Sequence, residues 1–207
     1  MQWAKNLFQG QDAFVVGDGP SLRGFDYRLL AGRNTIAVCN AYFRMMGAGV
    51  VPSVWVFVDA SFVGEIKSKP HCLDPYAVQG TRIACGPNCT LRDRGPVSRF
   101  FGAEKPSRDP ARLYYKEHSG AAAMNLGIIA KPRTLYLLGI DLTCVDAEQT
   151  HAGPHRLDNV AGQLSHYTRQ VARYEHFASM GTPIVNLSSI SMLKSYPKKT
   201  WGEVFGC

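Results

Sequence analysis

Ala13-Phe14-Val15-Val16 carries no polar side chain at either odd or even positions, and it runs directly into Gly17-Asp18-Gly19-Pro20-Ser21-Leu22. A β-prone segment that is apolar on both sides of its pleat has to be covered on both faces, which is the condition of a strand inside a sheet flanked by helices. Gly17 and Gly19 tolerate backbone angles that other residues resist, and Pro20 suits the first turn of a following helix. The turn is therefore expected to leave amide N–H groups uncovered at a helix N-terminus, where an anion is stabilised. A nucleotide phosphate is the first ligand this predicts. The full dinucleotide pattern G-x-G-x-x-G is not met, because Leu22 stands at its third glycine, and no Lys-Ser or Lys-Thr pair completes a Walker loop.

Four further segments read as buried strands: Thr35 to Cys39, Val54 to Val58, Thr134 to Leu138, and Pro183 to Val185 closed by Asn186. Helical patterns alternate with them. Ser119 to Ile129 is small and apolar around its circumference, with Ser119 placed to cap it, and Lys131-Pro132 closes it. Val160 to Met180 is a longer candidate, with Leu164, Val171, Tyr174 and Phe177 near one face and Gly181 following. Strands alternating with helices predict an α/β fold of Rossmann-like type, a mostly parallel open sheet flanked by helices. Ligands of such sheets sit beyond the C-terminal strand ends. Polar residues gather at those ends: Asp18 and Ser21 after the first strand, Asn40 after the second, Asp59 after the third and Asp141 after the fourth. Over about 64–114 the pattern gives way to Pro, Gly, Arg and Cys, which predicts a loop-rich insertion forming a lid or acceptor-binding region.

At 207 residues the chain, Met1 to Cys207, is expected to form a single nucleotide-binding, transferase-like domain. No apolar run approaches the roughly 20 residues of a membrane span, and the first residues do not resemble a signal peptide, so a cytoplasmic location is expected. The six cysteines are scattered, as suits buried thiols in a reducing compartment. His71-Cys72 with Cys85 and Cys89 is a loose set for zinc, and no metal site is assigned from it. A net charge of +7 favours anionic partners: a nucleotide, a phosphorylated sugar or a nucleic-acid acceptor.

Four motifs together resemble the bacterial sialyltransferases that build lipooligosaccharide and their 6-hydroxymethylpterin diphosphokinase-like relatives. Gly17 to Leu22, followed by Asp26-Tyr27, is similar to the nucleotide-holding opening of the sialyltransferases, although Asp18 stands where they carry Asn. Cys39-Asn40 resembles their second strand end, and Ser119-Gly120 with Tyr136-Leu137-Leu138-Gly139-Ile140-Asp141 resembles their Ser-Gly helix and Gly-Ile-Asp strand. His166, ahead of Tyr174-Glu175-His176-Phe177, falls where they keep a general-base histidine. Asp59 and Thr150-His151-Ala152 are closer to the diphosphokinase-like branch. The resemblance covers most of the chain apart from roughly 64–114.

What it implies is transfer of a sugar from a nucleotide-activated, CMP-type donor to an unknown acceptor. A base must take the acceptor proton, for which histidine is suited by its ordinary pKa, and His166 is the candidate. Lys116 and Tyr136 are the candidates for the departing phosphate, with no cofactor required. Gly17, Asp18, Gly19, Ser21, Asn40, Asp59, Ser119, Gly120 and Asp141 would form the nucleotide site, with His151 a further candidate. The alternative is a Mg²⁺- and ATP-dependent diphosphokinase, in which Asp59 and Asp141 would hold the metal. A non-catalytic nucleotide-binding module is the third reading. Donor, acceptor, metal dependence and oligomeric state are not legible here.

Overall fold

A computed structural model describes residues 1–68, 74–75, 78–115, 118–144 and 160–206. The strands are β1 (Ala13–Val16), β2 (Asn34–Val38), β3 (Val54–Phe57), β4 (Arg82–Cys85), β5 (Val97–Arg99), β6 (Phe101–Gly102), β7 (Arg112–Leu113), β8 (Leu135–Leu138) and β9 (Ile184–Asn186). The α-helices are α1 (Ala41–Gly47), α2 (Ala60–Ser68), α3 (Ser119–Ile129), α4 (Val160–Glu175) and α5 (Trp201–Phe205). Seven strands form one sheet in the order β5-β4-β3-β2-β1-β8-β9, every neighbouring pair parallel. The expected open α/β sheet is therefore present. β6 and β7 form a small ribbon apart from it.

Each face of the sheet buries its own core, and strand alternation decides which side chain goes where. Val15, Ile36, Val54, Val56, Leu135 and Leu137 face α3, all eleven residues of which are buried. Phe14, Val16, Ala37, Trp55, Phe57 and Leu138 face the other way, against Tyr42 and Met45 of α1 and Phe62, Val63 and Ile66 of α2. Trp55 stacks on Tyr42 with ring centroids 4.2 Å apart. An apolar helix surface with no polar stripe suits α3, because it is covered on every side. α4 differs: Gln170 and Tyr174 are buried while Ser165, Thr168 and Arg169 are exposed. It passes into a 3₁₀ turn, His176–Met180, so the helical stretch read from the sequence is two elements.

The loop-rich stretch 64–114 contributes two strands to the main sheet. β4 pairs with β3 and β5 with β4, each only three or four residues long, with Arg82 and Arg99 exposed. Strands this short, bounded by Pro and Gly, leave little period-two signal in a sequence. The segment returns to α3 through Asn125, a wholly buried side chain. Its Oδ1 accepts from the Tyr114 and Ser107 N–H groups at 2.7 and 3.1 Å, and its Nδ2 donates to the Ser107 carbonyl. Among the described residues no helix is long and apolar enough to cross a membrane.

Asn125→Ala would strand three backbone groups at once, of which the Tyr114 N–H is buried. A loss of about 2–4 kcal/mol in unfolding free energy is expected from denaturant titration. Asn125→Asp should recover part of it, since both acceptor bonds can be kept.

Candidate active site at the β1–β8 crevice

The strand order reverses between β1 and β8, so the chain leaves them in opposite directions and a crevice opens at their C-terminal ends. The two loops at that crevice are bonded to each other. Gly17 N–H donates to the Leu138 carbonyl at 2.7 Å and Gly19 N–H to the Gly139 carbonyl at 2.9 Å. Ser21 donates twice to the Asp141 carboxylate, from its N–H to Oδ2 and from its hydroxyl to Oδ1, both at 2.7 Å. A Cβ at Gly17 would lie 2.3 Å from the Gly139 carbonyl, and one at Gly19 would lie 2.4 Å from Asp141 Oδ2. The glycines are thus required by the approach of one loop to the other.

This corrects the expectation that their amides stand uncovered for a phosphate. Those of Gly17, Gly19 and Ser21 are already donated to the β8 loop, and Pro20–Leu22 forms one 3₁₀ turn instead of opening a helix. Asp141 is 2% exposed. Burial pushes its carboxyl up, and the Ser188 and Ser21 hydroxyls and Lys198 act against that shift.

A cavity of about 290 Å³ lies over the crevice, lined by residues after β1, β2, β3 and β8, the start of α3 and one side of α4. Gly17, Asp18, Gly19, Asn40, Asp59, Ser119, Gly120, Asp141 and His166 all border it. Ser21 reaches it through Asp141. The Asp18 carboxylate pairs with the guanidinium of Arg44 on α1, so the acid is balanced where it stands. Asp59 is exposed at the edge. Cys39 and Leu142, also on the wall, hold φ angles of 46° and 51°, the left-handed region that side chains other than glycine seldom occupy. Ser119 does not cap α3. Its hydroxyl accepts from the Val58 N–H at 3.1 Å, tying the helix to the end of β3, and His118 occupies the N-cap position.

His118 and His166 meet here from different elements, their rings 6.3 Å apart and within 27° of parallel. His118 Nδ1 is hydrogen-bonded to the hydroxyl of the fully buried Tyr174. Burial, then the neighbouring His166 and Arg173, pushes the His118 imidazole down to about 4, so the ring is neutral at physiological pH. Gly120 makes room for this contact, since a Cβ there would fall 2.2 Å from the Tyr174 hydroxyl. Gln170 accepts from Arg173 through Oε1 at 3.0 Å and turns its Nε2 toward His166 Nε2 at 3.4 Å. His118, Tyr174 and Arg44 were not singled out as site residues from sequence. The signal for His118 was its position immediately before Ser119-Gly120.

Tyr136 is not brought to the cavity. It pairs with Phe14 in the middle of the sheet and stacks on it at 5.0 Å, on the face away from α3. Alternation within β8 sends Leu135 and Leu137 toward α3 and Tyr136 and Leu138 away. Lys116, His151, His71 and Cys72 lie outside the described residues. Cys89 directs its thiol to the Asp59 carbonyl at 3.7 Å, with Cys85 beside it. Among the described residues no group of three His, Cys, Asp or Glu side chains is arranged to hold a metal ion.

No protein-family model matches this sequence, and no curated protein matches it. Solved structures do. A Maf glycosyltransferase from Magnetospirillum magneticum AMB-1 superposes with a TM-score of 0.59 at 13% identity, over 93% of this chain and 34% of that one. Thiamin pyrophosphokinases from Geobacillus thermodenitrificans and Bacillus subtilis align at TM-scores of 0.38 and 0.36. Their identities are 15% and 11%, over 86% of this chain and 60% and 61% of theirs. The fold is thus shared with a glycosyltransferase, of whose length this chain spans about a third.

The depressed His118 has a consequence for stability. The unfolded chain takes up this proton near pH 6.5 and the folded chain near 4, so stability present above 6.5 is lost as the pH falls toward 4. Between pH 7.5 and 4.5 this amounts to on the order of 2–3 kcal/mol. His118→Gln should lose less stability than the parent over that range by about this difference, read from denaturant unfolding at the two pH values.

Proposed function

We propose that the crevice binds a nucleotide-activated donor and that the protein is a glycosyltransferase-like transferase, with His166 taking the acceptor proton. The observation that carries this reading is the cavity at the β1–β8 reversal. There two histidines from α3 and α4 face the polar ends of the central strands. The sialyltransferase-like order of motifs and the fold shared with a glycosyltransferase support it. The donor is taken to be of CMP type, and the acceptor is left to experiment.

Each wall has a task in this reading. The Gly17–Ser21 turn, fixed on Asp141, forms a rigid floor, and Asn40 and Asp59 offer polar contacts for base or ribose. The first turn of α3 opens beside the place where phosphate would lie, which favours negative charge there. His166 accepts the proton of an acceptor hydroxyl as the new glycosidic bond forms, and the nucleotide leaves with the electron pair of the broken sugar–phosphate bond. Its 3.4 Å contact with Gln170 is longer than an ordinary hydrogen bond, so an acceptor hydroxyl displaces it at small cost. Neutral His118 adds no positive charge that would hinder protonation of its neighbour.

Pyrophosphoryl transfer with Mg²⁺ is served less well. Of the three carboxylates it would use, Asp18 is paired with Arg44, Asp141 is bonded to Ser21, and Asp59 lies exposed at the edge of the cavity.

A thermal-shift panel of CMP, CTP, UDP-sugars, ATP and GTP, with and without Mg²⁺, tests the donor class, because a ligand that binds the folded state alone raises the melting temperature. A cytidine nucleotide should give the largest rise, and transfer should survive EDTA. ATP consumption that depends strictly on Mg²⁺ would replace this reading with the diphosphokinase one. His166→Ala should reduce turnover by roughly 10²–10⁴-fold with nucleotide affinity nearly unchanged. Undiminished turnover would remove His166 from its role.

A further inference from the structure

Two histidines share one cavity, and their surroundings are not equivalent. Tyr174 is fully buried, and among the described residues its hydroxyl is hydrogen-bonded to His118 Nδ1. The phenol proton then needs an acceptor, and His118 Nδ1 is the one within reach. A neutral imidazole has one donor and one acceptor nitrogen. If Nδ1 accepts, Nε2 carries the hydrogen.

We propose that His118 is a fixed, uncharged hydrogen-bond donor whose Nε2–H binds an anionic phosphate oxygen of the nucleotide, with Tyr174 as the positioning residue that selects this tautomer. The proposal rests on the nucleotide reading above and adds a division of labour to it. With its lone pair committed to Tyr174, His118 cannot act as the base, whereas the contact of His166 with Gln170 is a long one. A neutral donor also suits a phosphate that has to leave, because it stabilises developing charge without binding the product as tightly as a cation does. It matters all the more because the amides of Gly17, Gly19 and Ser21 are already spent on the β8 loop.

Gly120 is part of the same device. A side chain there would push the Tyr174 hydroxyl off the helix, as the 2.2 Å approach of a Cβ shows.

Nitrogen-15 NMR of the histidine-labelled chain reads the tautomer directly, without any assay of activity. At pH 7.5 His118 should show a single neutral form protonated at Nε2, assigned by coupling to the ring hydrogens. In Tyr174→Phe that form should give way to a mixture, a change that a merely structural role for Tyr174 would not produce. Addition of CMP to the parent should shift the His118 Nε2 resonance. His118→Ala should weaken CMP binding about tenfold or more, the effect of a hydrogen bond to a charged group. His118→Gln, which can place an amide N–H near the Nε2 position, should restore most of it.

A His118 protonated at Nδ1, or one whose Nε2 is indifferent to bound CMP, overturns the inference while leaving the nucleotide reading intact. If the parent binds none of CMP, UMP and AMP by thermal shift, the nucleotide reading fails and the donor role falls with it. Should Tyr174→Phe not fold, the parent spectrum and the His118→Gln and His118→Ala pair decide the matter.

Discussion

The Asp141 carboxylate, bonded twice to Ser21, ties the loops after β1 and β8 together where they touch through Gly17, Gly19 and Gly139. Neighbouring parallel strands are normally secured beyond their ends by crossovers running the same way. At β1 and β8 the crossovers diverge, and the two loops are held by the Gly17 and Gly19 N–H bonds together with the Ser21–Asp141 contact. A buried carboxylate is costly to desolvate, which is why burial pushes Asp141 up. Charge-assisted bonds at 2.7 Å from both donors of Ser21 offset that cost, and the absence of side chains at the glycines permits the distance.

This contact uses the amides of Gly17, Gly19 and Ser21, and the other walls of the cavity bring further polar groups to it. The acids near the cavity are largely balanced: Asp18 by Arg44, Asp141 by Ser21. What faces them is α3, which begins at the crevice, and the two histidines. Desolvation holds the His118 ring neutral, and its bond to Tyr174 orients it. His166 stands partly exposed on α4. Two like residues with unlike partners, Tyr174 for His118 and Gln170 for His166, thus border one cavity.

The sheet was legible because burial on both faces leaves runs such as Ala13–Val16 and Val54–Phe57 without polar interruption. The strand ends were legible too, since Asn40, Asp59 and Asp141 follow those runs and all border the cavity. β4 and β5 were not, because three or four residues between Pro and Gly carry too little periodicity. Tyr136 was read with the site because it lies in the Gly-Ile-Asp strand. Its distance from the cavity follows from strand parity together with the number of residues to the strand end, and a motif records neither.

The sequence by itself determined the alternation of strand and helix, the small-residue helix that can lie flat on the sheet, and the set of polar residues released at one edge. These depend on local pattern, which residue order expresses directly. Tertiary structure decided which of those groups remain available to a ligand. Whether the amide of Gly19 meets a phosphate or the Gly139 carbonyl, and whether His118 is charged or neutral, depends on partners 120 and 56 positions away in the chain, Asp141 for Ser21 and Tyr174 for His118. Hydrogen-bond competition and desolvation are set by what lies within a few ångströms in space, and separation along the chain carries no record of that.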